Sequence, residues 1–354
     1  MKRTIIFLSG VCALTNLQPA FGWDYEGHRL VNQLALASLP KNFPAFVFAP
    51  AAQERIAFLS GEADRWRNMP DLALRNYSSP DHYIDLEELP LYGLKPETLP
   101  PLRYDFVGQL AIARAAHPEK FPPIDPTRNM DHTRELVGFL PWTITEYYVK
   151  LKSEFSYLKA FEEAGGTPEE IANAQANIIY IMGVMGHFVG DAAQPLHTTI
   201  QFNGWTGENP DHYTTGPVSG LTNFVGIHAW IDGGYIAKAN IGGDMGDMKK
   251  KIRPAQIVSL HNQPVRPDDF FQAAVAYIGE QNKLVEPLYK MEKEGKLTGA
   301  GETGLQGKPF IEGQLEKAGQ MLGDIWFTAW QQAPVDTYLE RQLQRRQSAN
   351  TSGK

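Results

Sequence analysis

The sequence predicts an all-α protein that folds as a single multi-helix domain. Long segments carry apolar residues at helical spacing, alternating strand patterns are scarce, and no internal repeat divides the 354 residues. Apolar residues form 43% of the chain and charged residues 21%, which excludes the disordered, collagen-like and coiled-coil classes. A chain of this length can bury a sizeable core without disulfides, and its one cysteine, Cys12, permits no intramolecular disulfide.

Residues 1–22 predict a secretory signal peptide. Lys2 and Arg3 provide the positive start, an apolar run follows, and Ala20 and Gly22 are the small residues of a cleavage site before Trp23. The apolar run is too short to span a bilayer as a helix, and no later apolar run is long enough. We expect a secreted or periplasmic bacterial protein, because eukaryotic secretory proteins usually contain disulfides. A buried N-terminal helix is the alternative.

Five helices are predicted along the rest of the chain, over 24–39, 167–193, 270–293, 312–332 and from 334 to about 345. The segment Thr167-Pro168-Glu169-Glu170 has the sequence of a capping box at the start of a helix. Pro287 predicts a kink within 270–293. Residues 90–131 are rich in proline and predict an irregular segment, 204–226 predict a long loop, and 346–354 predict a polar tail.

Histidines and aspartates recur in pairs four residues apart. His187 and Asp191 lie on one face of the helix predicted over 167–193, and His228 and Asp232 repeat the spacing. His197 follows the first pair closely. Neutral imidazoles and carboxylates are ligands that Zn²⁺ prefers in proteins. One such pair is commonly a surface ion pair, but two pairs and a further histidine between 187 and 232 predict a metal site.

The predicted cleavage adds one more candidate ligand. It makes Trp23 the first residue of the mature chain, with His28 close behind it on the first helix. A free α-amine has a pKa of about 8 and can lose its proton to bind a metal. The amine and the carbonyl oxygen of one residue form a five-membered chelate. An ordinary aromatic residue near a terminus is the alternative interpretation of Trp23.

These residues resemble the zinc-dependent nucleases of the S1/P1 type, which are related to the bacterial zinc phospholipases C. The motifs that carry the resemblance are Trp23-x4-His28, Ala63-Asp64-Arg65-Trp66-Arg67, Asp81-His82-Tyr83-Ile84-Asp85, His187-x3-Asp191-x5-His197 with Gln194-Pro195-Leu196, and His228-x3-Asp232. All the ligand positions of the family hold the required residue types in the required order. The resemblance implies the all-α fold of phospholipase C and P1 nuclease, with a catalytic domain over 23–345.

The resemblance also implies three Zn²⁺ ions. In the family's sets, the first is held by Asp64, His82, His187 and Asp191, the second by His197, His228 and Asp232, and the third by Trp23, His28 and Asp191. Asp85 matches the carboxylate that directs the attacking water, and Arg67 matches the arginine near the phosphate. For these two residues, a surface carboxylate and a surface ion pair are the alternatives.

The chain departs from the family pattern in two places. The interval from His82 to His187 is longer than in the family, so residues 90–142 are predicted to be an insertion that forms a lid, a substrate wall or a dimer contact. The segment after His197 also differs. There, Phe202 and Trp205 are candidates for stacking on bases, and simple packing within a loop is the alternative.

The activity implied by the resemblance is that of a zinc-dependent endonuclease and 3′-nucleotidase acting on single-stranded DNA and RNA. A zinc phospholipase C and a catalytically inactive zinc-binding protein are the alternatives. The formal charge of −7 argues against a broad basic face for nucleic acid. A nucleotide substrate would therefore be held locally by zinc and stacking. No obligate protein partner is implied.

Overall fold

The computed structural model describes residues 23–215 and 226–352, and this part of the chain is mostly helical. The all-α prediction is confirmed at that level. No helix among the described residues is long and apolar enough to cross a membrane. The signal peptide predicted over 1–22, part of the predicted loop (216–225) and the last residues of the predicted tail (353–354) lie outside the described residues.

Fifteen α-helices occur in the described ranges. They are α1 (Tyr25–Ser38), α2 (Pro50–Leu59), α3 (Glu62–Arg67), α4 (Leu72–Ser78), α5 (Arg103–Ala116), α6 (Leu140–Ala164), α7 (Pro168–Ala193), α8 (Ile227–Ala229), α9 (Tyr235–Lys238), α10 (Met245–Lys251), α11 (Phe270–Asn282), α12 (Val285–Lys293), α13 (Gly301–Gly304), α14 (Lys308–Gln332) and α15 (Thr337–Ser352). A π-helical turn, Trp230–Gly234, joins α8 to α9.

Short 3₁₀ helices and one small hairpin complete the described structure. The 3₁₀ helices are Ala45–Phe48, Ser79–His82, Leu86–Tyr92, Pro96–Thr98, Pro118–Lys120, Pro126–Arg128, Pro195–Thr198, Ile241–Asp244 and Pro267–Asp269. The hairpin pairs strands β1 (Ser259–Leu260) and β2 (Gln263–Pro264) in antiparallel register. The segment 83–86, which resembles a strand in sequence, forms a single antiparallel bridge between Ile84 and Gly138.

Helix α7 is the centre of the fold. Every residue from Met182 to Ala193 is buried, which is the pattern of a helix enclosed by other elements. Helices α1, α2, α6 and α14 all pack against α7, and α1 also packs along α14. A Cβ atom at Gly186 would collide with the side-chain oxygen of Asn32 on α1. Polar residues in this half of α7 therefore face neighbouring elements instead of solvent.

The starts of α1 and α7 follow from local sequence. Asp24 accepts a hydrogen bond from the Tyr25 N–H at the start of α1. At the start of α7, Thr167 Oγ1 accepts from the Glu170 N–H at 3.2 Å, and Glu170 Oε2 accepts from the Thr167 N–H at 2.8 Å. This reciprocal pair satisfies N–H groups that no helical carbonyl can reach. The predicted capping box is confirmed.

The helix predicted over 270–293 is divided in two. Helix α11 ends at Asn282, and α12 begins at Val285. Pro287 lies in the first turn of α12, where its missing N–H costs no helical hydrogen bond. The expected kink at Pro287 is therefore wrong, and the break lies earlier, at 283–284.

Two segments predicted to be irregular contain helices. Within 90–131, α5 forms 14 residues of helix. Only Phe106 and Leu110 of α5 are buried, so its apolar face is narrow and its pattern is weak. The polar tail predicted from 346 is part of α15, which continues to Ser352. Arg346 pairs with Glu170 at 2.8 Å, and this contact ties α15 to the start of α7.

Candidate metal centre

Five of the nine histidines and three aspartates converge on one region. They are His28 of α1, Asp64 of α3, His82 of the turn Ser79–His82, His187 and Asp191 of α7, His197 of the turn Pro195–Thr198, and His228 and Asp232 of α8 and the π-helical turn. All but His228 are buried. Their ligand atoms form three groups, and within each group the atoms lie no more than 4.8 Å apart. These are the eight side chains that the sequence predicted as metal ligands, beside the terminal Trp23.

The first group contains Asp64, His82 and His187, and the resemblance adds to it Asp191, which the structure groups with His28 and His187. His82 Nδ1 lies 3.0 Å from Asp191 Oδ2 and 2.9 Å from His187 Nε2. His187 Nε2 lies 3.3 Å from Asp191 Oδ2 and 3.7 Å from Asp64 Oδ1. The ligands of a tetrahedral zinc with bonds of about 2.1 Å are about 3.4 Å apart. The four observed spacings, from 2.9 to 3.7 Å, are close to this value, so these atoms are near enough to share one ion.

The second group contains His197, His228 and Asp232. His228 Nε2 lies 3.0 Å from His197 Nε2 and 2.9 Å from Asp232 Oδ2. The backbone of Asp232 is in the π-helical turn, a local distortion that is frequent at functional sites. Gln194 Nε2 donates to Asp232 Oδ1 at 2.6 Å. This bond orients the carboxylate so that its other oxygen faces the histidine.

The third group lies beside the start of α1. His28 Nε2 is 3.5 Å from Asp191 Oδ1, and the His28 ring stacks on His187. The Trp23 side chain is fully buried, and its indole N–H donates to the Gly190 carbonyl at 2.8 Å. A Cβ atom at Gly190 would lie 2.8 Å from His28 Nδ1, so glycine leaves room for this ring. The Trp23 side chain therefore packs beside Gly190 and His28, in the neighbourhood of the third group.

Asp191 lies between the groups. Its Oδ2 faces His82 and His187, whereas its Oδ1 lies 3.5 Å from His28 Nε2 and 3.6 Å from His197 Nε2. One carboxylate therefore has imidazole nitrogens on both sides, which is the arrangement a bridging ligand needs. The resemblance assigns Asp191 to the first and third ions, and the structure places it beside His197 of the second group as well.

Backbone carbonyls orient two of the rings. His187 Nδ1 donates to the Ser60 carbonyl at 2.7 Å, and His197 Nδ1 donates to the His82 carbonyl at 2.6 Å. A carbonyl only accepts, so each neutral ring carries its proton on Nδ1. The Nε2 lone pair of each ring is therefore directed into the centre. Such partners of metal-binding histidines raise ligand basicity and hold ring orientation.

Burial keeps most of these imidazoles neutral. Desolvation is the main cause that lowers the pKa of His28 and His82 well below its ordinary value, and it lowers the pKa of His197 to about 4. Burial by itself would raise the pKa of Asp191, but the neighbouring His197 and His187 hold that pKa well below its ordinary value. For His187, burial opposes protonation, but Asp191 and other carboxylates raise its pKa. An ionised carboxylate among mostly neutral imidazoles is the state that binds a divalent cation.

Several buried ring nitrogens are not satisfied by the protein. Both nitrogens of His28 and Nε2 of His82 have no hydrogen-bond partner among the described residues, although nearly all buried polar atoms in proteins have one. Nitrogen and carboxylate donors at these spacings suit Zn²⁺ or a similar divalent ion. The residues present fit the implied metal, and three groups of histidine and aspartate side chains can hold metal ions.

The centre opens into a cleft of about 490 Å³ that Asp85 and Arg67 also line. Arg67 Nε lies 2.8 Å from Asp64 Oδ1, which holds the guanidinium at the edge of the first group. The Asp85 backbone N–H donates to the Val137 carbonyl at 2.8 Å. Burial, and then repulsion from Glu88, raise the pKa of the Asp85 carboxyl well above its ordinary value. Both residues predicted to be catalytic therefore line the same cleft as His82, His197 and His228 of the candidate metal groups.

The two aromatic candidates lie in different surroundings. Phe202 lines the cleft, is 50% exposed, and has its ring 6.0 Å from that of His228. Trp205 packs against Tyr213 and Tyr289 and donates its indole N–H to the Glu208 carbonyl. It is not among the residues that line the cleft. The geometry thus supports stacking for Phe202 and packing for Trp205.

Three further arginines line the cleft and were missed by the sequence analysis. Arg75 comes from α4, and Arg128 and Arg134 come from the segment predicted to be an insertion. Their spacing follows no helical or strand period, and they are far in sequence from the ligand motifs. The only signal was the local density of arginine near 128–134. Of the roles considered for residues 90–142, a substrate wall fits this placement.

No protein-family profile matches the chain, and no curated protein sequence is similar to it. The residues of the cleft and their geometry are therefore the basis for inferring what the protein does.

Proposed function

We propose that this chain is an exported zinc-dependent phosphodiesterase of the S1/P1 nuclease type, which cleaves single-stranded DNA and RNA and removes 3′-phosphates. The observation that carries the proposal is the composition of one cleft. Side chains of the metal groups line it together with a carboxylate, Asp85, and an arginine, Arg67. A protein that only binds zinc needs the histidines and aspartates but does not need a carboxylate that directs water, which is the role proposed for Asp85.

The side chains of the cleft have different roles in the proposed phosphodiester hydrolysis. Zinc held by the histidine and aspartate groups would lower the pKa of the attacking water and stabilise negative charge on the phosphoryl oxygens. Asp85 accepts the proton of the attacking water, a role suited to a carboxylate whose pKa lies above its ordinary value. Arg67 binds phosphoryl oxygens with its planar guanidinium, which Asp64 holds in place. The water oxygen would attack phosphorus directly, the P–O3′ bond would break as the new P–O bond forms, and the proton accepted by Asp85 would pass to the departing 3′ oxygen. No side chain acts as a nucleophile.

Cleavage before Trp23 links the proposed activity to export. The Asp24 N–H donates to the Asp232 carbonyl at 2.9 Å, and the Trp23 indole is fixed to Gly190. Cleavage there would create an α-amine on a residue whose side chain contacts Gly190, three residues from His187 and one from Asp191. A mature protein with one additional residue before Trp23 should bind one zinc fewer than the authentic form, and metal analysis of the two forms measures the difference.

The deciding experiment compares four substrates with purified mature protein. These are single-stranded DNA, RNA, a 3′-mononucleotide and phosphatidylcholine vesicles. We expect hydrolysis of the first three, with loss of activity in D85N and after chelation. Hydrolysis of the lipid alone would identify a phospholipase C. Bound zinc without hydrolysis of any substrate would identify a zinc-binding protein, and full activity without metal would refute the mechanism.

A further inference from the structure

One wall of the cleft is rich in arginine. Arg75, Arg128 and Arg134 line the cleft in addition to Arg67, and none of the described residues that line it is a lysine. The chain as a whole is acidic, with a formal charge of −7. The overall composition therefore does not account for several guanidinium groups on one wall. Arginine presents a planar fork of N–H donors that matches the oxygens of a phosphate, whereas lysine offers a single mobile charge. The chemistry of this wall is therefore that of a phosphate-binding surface.

The wall is built on a well-braced turn. The Asn129 side chain accepts from the Arg134 N–H at 3.1 Å and donates to Glu135 at 2.8 Å. Asp131 Oδ1 accepts from both the N–H and the hydroxyl of Thr133. These bonds hold residues 129–135 in one conformation. A preorganised turn loses less conformational entropy when a ligand binds.

The same turn is fastened to helix α4. Asn76 Nδ2 donates to the Asp131 carbonyl at 2.8 Å, and Arg75 pairs with the Asp131 carboxylate at 2.8 Å. Arg134 Nε donates to the Arg128 carbonyl at 2.7 Å. The contacts of Arg75 and Arg134 each use only part of a guanidinium that carries five N–H donors. Asp131 neutralises one of the three arginines, so these four residues keep a net positive charge, while Asp85 and Glu88 line another part of the cleft. Arg128 and Arg134 are exposed and accessible to a ligand.

We propose that Arg128 and Arg134, with Arg75 behind them, bind a second phosphate of the substrate, next to the phosphate that is hydrolysed. This inference rests on the proposed nuclease function and specifies its substrate class. The chain would prefer oligonucleotides with several phosphates over substrates with one. The insertion is thus the part of the chain that distinguishes a polynucleotide from a mononucleotide.

The test uses the double variant R128A/R134A in zinc-loaded mature protein. Its charge-matched control is R341A/R345A, which removes two exposed arginines from α15. Hydrolysis is measured on a dinucleoside monophosphate, which has one phosphate, and on a single-stranded pentanucleotide. The wild type should prefer the pentanucleotide. In R128A/R134A, kcat/KM for the pentanucleotide divided by kcat/KM for the dinucleoside monophosphate should fall. We expect a decrease of about tenfold for each arginine, because each loses hydrogen bonds between charged groups. The control should keep the wild-type ratio.

Direct binding provides a second readout. The affinity for a fluorescein-labelled pentanucleotide is measured by anisotropy at several salt concentrations, with the arginine substitutions made in the D85N protein so that the probe is not hydrolysed during the measurement. Each lost phosphate contact should reduce the slope of log K against log salt by about 0.7. The double variant R128K/R134K should keep the wild-type salt slope, because it keeps both positive charges. It should bind more weakly, because lysine lacks the planar pair of N–H donors of a guanidinium.

The outcomes separate this inference from the proposed function. Equal losses on both substrates, or an unchanged ratio and salt slope in R128A/R134A, would overturn the role of the arginine wall. Failure of the wild type to hydrolyse any nucleotide would refute the nuclease proposal. In that case the anisotropy slopes still decide whether the wall binds phosphates.

Discussion

The sharpest test of the metal centre is replacement of Asp191 by asparagine. Asp191 is fully buried, its Oδ2 is 3.0 Å from His82 Nδ1, and its Oδ1 is 3.5 Å from His28 Nε2. Asparagine has nearly the same shape, but it replaces one carboxylate oxygen with an NH₂ group that cannot bind a metal. The change therefore weakens two groups of ligands at once and leaves His197, His228 and Asp232 intact.

The expected result is the loss of two metals together. Metal content after dialysis should fall from about three zincs per chain to about one. A metal present at about 1,000 times its Kd stabilises the fold by about 4 kcal/mol. Loss of two metals should therefore lower the free energy of unfolding in zinc-containing buffer by roughly 8 kcal/mol. In chelator the two proteins should unfold at similar denaturant concentrations, because neither then carries metal.

Metal analysis and urea unfolding, with and without chelator, measure both quantities. The control is D247N, which changes an exposed aspartate of α10 and should retain all metals. Loss of a single zinc in D191N would refute the bridging role of Asp191. A stability difference of the same size in chelator would show that Asp191 acts through protein contacts instead of metal.

Three further predictions concern residues around the centre. D85N should lower kcat by about 10²- to 10⁴-fold with unchanged zinc content, because Asp85 moves a proton and holds no metal; turnover and metal analysis check this. R103A should reduce the free energy of unfolding in urea by about 3 kcal/mol, because Arg103 pairs with the buried Asp81 at 2.6 Å. The Arg346 hydrogen bond lowers the pKa of Glu170 from 4.5 to about 2. The stabilisation that Glu170 provides over glutamine should therefore be complete above about pH 5 and disappear as the pH falls toward 2, as thermal unfolding of E170Q and wild type would show.

Each of the predictions for Asp85, Arg103 and Glu170 has its own control or contradicting outcome. D105N changes an exposed aspartate of α5 outside the cleft and should keep full activity, and loss of zinc from D85N would contradict its assignment. R345A is the reference for R103A, and unfolding energies within 0.5 kcal/mol of each other would contradict the structural role of Arg103. For Glu170, a difference in unfolding temperature between wild type and E170Q that does not change with pH would contradict stabilisation by the ionised carboxylate.

Much of the helical framework was predictable because it depends on local sequence. The capping box at Thr167 and Glu170 depends on residues three apart, and the histidine–aspartate pairs depend on spacing within one helix. Those pairs correctly indicated side chains that come together in groups able to hold a metal ion. Helix α5 was not predictable in the same way, because only two of its residues are buried. The break before α12 was also missed, since the sequence placed it at Pro287.

The sequence by itself determined which residues can act as ligands and which of them share a helix face. Only the tertiary structure decided how the groups meet: His82 reaches Asp191 across 109 residues, and Trp23 reaches Gly190 across 167. It also placed Phe202 in the cleft and Trp205 outside it, and it brought Arg128 and Arg134 to the wall. The physical reason is that helical periodicity extends over a few turns, whereas these contacts depend on how α7 is enclosed by elements distant in the chain.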